Sequence, residues 1–549
     1  MIHSETRSQK LIEKLNNLGL SISYERVLNI GSHIAASLCE QFEKDDAVIP
    51  CNLLGNTFTL YAVDNINFNP SSTTAMTSFH GTSISYLQQP DENSVQRPFF
   101  ELSNQGYRIK LPESYTSIRN IEVNLARIEA PPKRVFHPHY DGETEVKKEE
   151  LWLKNSGTLL SMPFAEHHKL SFLGNHTEKD TAPAPTPWIT GLCPMFDEKA
   201  ATATMMYHTL KIVSSTISKL NPTQIPIIVG DQPIFSLLKQ VQWRYPETYR
   251  EDKLVIFMGG LHLEMSLWTA IGKLLNNSGW DNIVAEAEVT TPGTAESLLR
   301  AAHLKKTRLV HEISLVAFTK LKYDAYKETD QTMSFEEWTE EKKNLSPTFF
   351  YWDLILKVEK LVFTFIRSHR ERNIDLYIHT LEKLVFLYFA LDSTNYCRWT
   401  PVHLRDLKNL PSSVMREFRK GKWVGNKTSR RFSSVPIDQM HEWTNKKIKS
   451  SRGLVGLFTN YDARTKWLIS SPKISEILDE FEQTLEGYSV LSDDFEHHEE
   501  SVAFQKTFYQ KSKRYAFLFV TQNDYVNNDD STLIIFCFFN HGFLFPQVL

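Results

Sequence analysis

The sequence predicts an α/β protein: a sheet flanked by helices, with helices at the N-terminus and a large all-helical segment inserted before the last core element. Three observations lead there. Apolar residues recur every three or four positions from Gln9 to Phe42, through Leu11, Leu15, Leu18, Val27, Ile30, Ile34 and Leu38, which is the period of amphipathic helices. Short β-branched and aromatic bursts then alternate with helical patterns: "TFTLYAVDNI", an alternating run over Thr82 to Leu87, "IPIIVG" before a helix from about Pro233 to Trp243, and "KLVIFMGG" before another. From Thr294 onward the period is helical again, in stretches such as "LILKVEKLVFTFI" and "LEKLVFLYFALD".

A chain of 549 residues exceeds one simple core. The divisions expected are an N-terminal helical region (1–52), a core (53–265) with an irregular insertion at 91–199, an all-helical insertion (266–410), a basic segment with a final helix and an acidic stretch (411–500), and an atypical apolar tail (501–549). The loop chemistry of "EAPPKRVFHPHYDGETEVKKEE" and "TAPAPTPW" suggests no regular structure between Asp91 and about Pro187.

With 41% hydrophobic and 23% charged residues, most of the chain has enough apolar material to fold. "MIHSETRSQK" has no apolar h-region, and no eighteen-residue apolar run follows, so the expectation is a chain of the nucleus or cytoplasm with no membrane partner. Five scattered cysteines with no C-x-x-C argue against a disulfide framework and a cysteine-rich zinc module. The net charge of −4 hides segregation: Arg416 to Arg452 carries eleven basic residues against three acidic ones, a local field suited to phosphate backbones. There "FRKGKWVGNKTSRRF" interleaves Phe418, Trp423 and Phe432 with cations, a mixture that suits base stacking as well as backbone contact.

Three acids share a setting. Asp64 lies near the end of one strand-like run, Asp231 closes another, and Glu442 sits on a polar helix in the most basic part of the chain. Each has an ordinary reading: Asp231 as a helix N-cap, Asp64 as the start of an Asx turn, Glu442 as a solvated helix residue. Together they suit two-metal phosphoryl chemistry, in which several carboxylates converge on cations about 3.5–4 Å apart. On the last helix Asp438, Glu442, Asn445 and Lys449 fall on one face, so Asp438 competes with Glu442 as the third acid. "GGLHLEM" holds His262 and Glu264 as H-x-E without the P-C-x-x-C of a zinc deaminase. Both are secondary candidates, beside the reading of His262 as a packed core histidine. His80, His137 and His139 lack partners at metal-ligand spacing and read as structural.

The order of "TLYAVDNIN", "IPIIVGDQPIF", "LVIFMGGLHLEM", a helical insertion and "IDQMHEWTNKKIK" resembles the ribonuclease-H-like core of DDE transposases. More specifically, "VDNINFNPSSTTAMTSFHGTSIS", "NYCRWTPVHLRDL" and the "DQMHE" helix are similar to a widespread, largely uncharacterised group of transposon-derived animal proteins. The likeness covers roughly residues 10 to 480. It implies a mixed sheet flanked by helices, with Asp64, Asp231 and Glu442 as catalytic ligands of Mg²⁺ or Mn²⁺. It further implies that Lys449, with Lys446, Arg430, Arg431 and Lys422, holds DNA phosphates, and that DNA cleavage and strand transfer was the ancestral activity of a homo-oligomer. No N-terminal zinc finger or helix-turn-helix accompanies it, which leaves the alternative of a catalytically inactive, domesticated DNA-binding or protein-interaction module.

Overall fold

The computed structural model describes residues 8–68, 78–97, 109–121, 142–159, 171–450 and 453–484, with His3 and Thr6 besides. Two compact units divide the chain: Met1–Glu149 with Leu173–Lys273 and Leu361–Glu496, and Glu150–Phe172 with Leu274–Lys360 and His497–Leu549. The elements in order are α1 (Gln9–Asn17), α2 (Tyr24–Asp45), β1 (Phe58–Phe68), β2 (Phe79–Gln89), α3 (Glu113–Thr116), α4 (Gly142–Leu159), α5 (Phe172–Lys179), β3 (Ile189–Leu192), α6 (Ala203–Leu220), β4 (Ile227–Gly230), α7 (Gln232–Arg244), β5 (Val255–Met258), α8 (Gly260–Leu275), α9 (Trp280–Glu286), α10 (Pro292–Leu298), α11 (Leu304–Lys327), α12 (Phe335–Leu345), α13 (Pro347–Arg370), α14 (Ile374–Ala390), α15 (Thr394–Lys408), α16 (Ser412–Arg419), α17 (Ile437–Ile448) and α18 (Tyr461–Thr484).

In the first unit five strands form one mixed sheet in the order β3-β2-β1-β4-β5. The long strands β1 and β2 pair antiparallel from Phe58↔Gln89 to Phe68↔Phe79, and β3 continues that direction change against β2. On the other side β1, β4 and β5 are parallel. "IIVG" and "VIFM" are buried along their whole length, as expected where parallel strands are covered on both faces.

Helices of the first unit are fixed by capping and by one ionic clamp. Ser8, Ser23 and Thr202 cap α1, α2 and α6 through their side chains, each satisfying a backbone N–H that has no helical partner. Helix α7 buries Ile234, Phe235, Leu238 and Val241. On the same helix Lys239, 2% exposed, donates to Gln242, Glu251 and Asp406 at 2.6, 2.7 and 2.9 Å. Arg405 joins Glu251 at 2.5 Å, and Trp399 stacks on Trp243. This clamp ties α7 to α15 and so explains the "RWTPVHLRDL" stretch.

The region 91–187, expected to be irregular, contains α3, α4 and α5. The charged appearance of α4 conceals its buried side: Glu149 is fully buried because Arg367 meets it with two nitrogens at 2.5 and 3.2 Å. The proline-rich stretch before residue 189 leads directly into β3, with Trp188 N–H bonded to Asn426 O. The expected insertion 266–410 is helical, but its part from Leu361 onward belongs to the first unit. Aromatic packing explains this: Tyr377 stacks on Phe257 of β5, and the His403, Phe418 and Trp423 rings lie against the same residue.

The second unit has its own interior. Trp280 stacks on the buried His311, which is hydrogen-bonded to Glu359 at 2.6 Å, and Lys322 pairs with Asp353 at 2.7 Å. Among the described residues no helix is long and apolar enough to cross a membrane. His137, His139, Cys537 and the tail 501–549 lie outside the described residues.

Candidate active site

Register brings the first two acids together. In the parallel pair β1–β4 the partners are Tyr61↔Ile228, Ala62↔Val229 and Val63↔Gly230. Extending that ladder by one residue sets Asp64 beside Asp231, on strands spaced about 4.8 Å apart. Burial pushes the Asp64 carboxyl up to about 8, and the charge of Asp231 and a hydrogen bond with Glu442 push the same way.

Asp231 is both a cap and a member of this cluster. Its Oδ1 accepts from Ile234 N–H at 2.9 Å at the start of α7. Burial raises its carboxyl, the Ile234 N–H and His262 oppose that rise, and Asp438 and Glu442 add to it. The two readings left open by the sequence are therefore compatible: one oxygen serves the helix while the group remains in the field of the other acids.

Glu442 is supplied by α17, which lies against β1, β2 and β4. The two residues of the expected stripe that flank it are buried, Asp438 at 6% and Asn445 at 1% exposure. Asp438 does not compete for the position beside Asp64, because both of its oxygens are engaged elsewhere. Oδ1 accepts from Leu261 N–H at 3.1 Å and from Gln439 N–H at 3.2 Å. Oδ2 accepts from His262 N–H at 3.1 Å and lies 3.0 Å from His262 Nδ1. These bonds hold the Asp438 carboxyl below its usual range despite its burial.

His262 thus sits at the first turn of α8 with its ring fixed by Asp438. Burial works against its protonation, but Asp438, Asp231 and Asp64 outweigh that and raise it to about 9. The pair Gly259-Gly260 permits this junction. A methyl group on Gly259 would collide with the Asp438 carboxylate, and one on Gly260 with the His369 ring and Pro436. Tyr396, whose hydroxyl reaches His262 O at 3.4 Å, is a site residue the sequence did not single out. The same holds for His441, Ser83 and Ser85.

Other candidates stand apart. Glu264 is 2% exposed and accepts from Trp268 Nε1 at 3.0 Å, inside the core under α8. Lys422 is engaged by Asp91 at 2.7 Å and Glu417 at 3.0 Å, so it is a surface ion pair and not an open phosphate contact. Phe418, Trp423 and Phe432 are 1%, 2% and 4% exposed, which corrects their reading as base-stacking platforms: they fill the interior beneath the basic loop. His80 is bonded to Asn67 at 2.8 Å. Lys446 is exposed, and Lys449 ends α17 near enough for its charge to be felt at His441. Arg431 reaches Asp180 O at 3.4 Å.

The donor set is all oxygen, the chemistry that hard divalent cations take. Among the described residues no group of three or more His, Cys, Asp and Glu stands as a ready-made cage. A Mg²⁺ ion draws on one or two carboxylates, with waters and phosphate oxygens completing its shell. The carboxylates of Asp64, Asp231 and Glu442 are of the donor type and number that this demand allows.

A family model described as a domain of unknown function (DUF8702) matches residues 186–334 and 303–523, more than half of the chain. No curated protein and no solved structure matches it.

Proposed function

The chain belongs to this family, the domain of unknown function DUF8702, and we propose from its site that it is a metal-dependent nuclease or transposase of the DDE type on a ribonuclease-H-like core. The observation that carries the reading is the convergence of Asp64, within β1, Asp231, just past the end of the adjacent parallel β4, and Glu442 on α17. The strand order β3-β2-β1-β4-β5, antiparallel on one side of β1 and parallel on the other, supports the same fold.

A bound Mg²⁺ or Mn²⁺ would activate the attacking oxygen and stabilise the leaving one. The chain's own residues do the rest. Asp64 and Glu442 would supply carboxylate oxygens to that cation. Asp231 adds negative charge from the α7 cap. His262, held by Asp438, sets a positive charge against the acids and can donate its Nε2–H to a phosphate oxygen. Lys446 and Lys449, with Arg430 and Arg431, favour a DNA backbone as the substrate, which suits a protein of the nucleus or cytoplasm, and a homo-oligomer is the assembly such strand transfer uses.

The test is nicking of plasmid DNA by the purified full chain with Mg²⁺ or Mn²⁺. Nicking that stops with chelator and in Asp231→Ala supports the reading; nicking unchanged in Asp231→Ala assigns it to a contaminant. One observation favours a second reading, an inactive DNA-binding module: burial beside Asp231 and Glu442 pushes the Asp64 carboxyl up to about 8, which favours its neutral form where no cation is bound. Metal-independent DNA binding with no nicking would select it.

A further inference from the structure

Ser83 lies directly across the β1–β2 ladder from Asp64 and is completely buried. Its hydroxyl meets three groups: His441 Nε2 at 3.0 Å, Asn445 Oδ1 at 3.2 Å and Asp64 O at 3.4 Å. Two residues on, and so on the same face of β2, Ser85 Oγ lies 2.7 Å from His441 Nδ1. His441 and Asn445 are one turn apart on α17, and His441 immediately precedes Glu442.

The protons in this group close consistently. Ser83 has one hydroxyl proton, and Asn445 Oδ1 takes it. The Ser83 oxygen then accepts from His441 Nε2–H, and the lone pair on Nδ1 accepts from the Ser85 hydroxyl. The imidazole is neutral in this scheme, with one nitrogen donating and the other accepting. Both ring nitrogens are used and the side chain is 1% exposed, so His441 has no access to substrate. It is a joint between helix and sheet.

We propose that Ser83, Ser85, His441 and Asn445 form a positioning latch that sets Glu442 against Asp64 and thereby fixes the spacing of the carboxylates that hold the divalent cation. The strand that carries Asp64 and the helix that carries Glu442 are far apart in sequence, and the latch is the polar link between them at the level of the acids. It gives the buried serines of "TSIS" and the histidine of "DQMHE" a shared purpose, and it rests on the carboxylate reading of the site.

The experiment is calorimetric titration of the full chain with Mn²⁺, alongside its thermal unfolding midpoint. Ser83→Ala should lower Mn²⁺ affinity about 10- to 100-fold, the range for removing a partner that orients a metal ligand, and Ser83→Thr, which restores the hydroxyl, should recover it. Ser85→Ala is a second, milder cut at the same latch. Thr82→Val removes an equally buried neighbouring hydroxyl that bonds Glu198 O instead; it should lower the midpoint and leave Mn²⁺ affinity unchanged. Wild-type affinity in both serine variants, or an equal loss in Thr82→Val, overturns the latch. Identical isotherms for the wild type and Glu442→Ala would instead sink the carboxylate reading on which the latch depends.

Discussion

Asp64 takes up its proton at a higher pH in the folded chain than in the unfolded one, from 3.8 to about 8. Across that window the folded state holds the extra proton, so this group's contribution to stability falls as pH rises. His262 runs the same way over a later window: raised from 6.5 to about 9, it stabilises fully below 6.5 and loses that contribution as pH passes 9. The two add between pH 6.5 and 8 and His262 continues alone to 9, so the thermal midpoint should fall from pH 6.5 to 9, and Mn²⁺ should offset the fall by neutralising the carboxylates. Differential scanning fluorimetry at pH 6.5 and pH 9, with and without Mn²⁺, measures it; a midpoint that rises with pH would contradict the assignment. The sequence already exposed these acids, because each stands where an apolar strand ends or on a basic helix. It favoured Glu442 over Asp438 only by its spacing to Lys449, since helix periodicity places both on one face. Only the approach of α8 separates them, by filling both Asp438 oxygens with N–H donors.

Helix α8 begins where no side chain fits. Gly259→Ala or Gly260→Ala should cost about 1–3 kcal/mol, the usual penalty of overpacking, and should also move His262 away from the acids; a fully stable Gly259→Ala protein that still nicks DNA would show that the contact with Asp438 is dispensable. Helix α4 offers the complementary case. Arg367 is completely buried among Glu145, Glu149 and Glu371, and Arg367→Ala removes the cation that pairs the buried Glu149 carboxylate, with an expected loss of about 3–5 kcal/mol in urea unfolding. An unchanged midpoint would mean that the glutamates find other partners. Strands β1, β4 and β5 and helices α13 and α14 were legible because their apolar period is carried by local sequence. Helix α4 was not, because its buried glutamates read as solvent-facing until Arg367, more than two hundred positions away, is seen to neutralise them. Strand β3 was hidden by the prolines before it, and the aromatics Phe418, Trp423 and Phe432 looked like a surface because the cations between them dominate the pattern.

At the scale of the whole chain, charge segregation survives folding only in part. Lys422 is consumed by Asp91 and Glu417, whereas Lys446 is exposed, so Lys446→Ala should weaken DNA binding and reduce the dependence of log K on log salt by about one unit. Lys422→Ala should leave both unchanged; fluorescence anisotropy over a salt series decides, and an equal effect of the two would mean the Lys422 ion pairs open on binding. The family match covers more than half of the chain and includes Asp231 and Glu442 but not Asp64, so the first acid is placed in the site by the sheet register alone. That makes the cation the central claim. Crystals of the full chain soaked in Mn²⁺ should give an anomalous peak within coordination distance of Asp64 and at least one of Asp231 and Glu442. A soaked crystal with no anomalous peak among the three carboxylates would contradict the account.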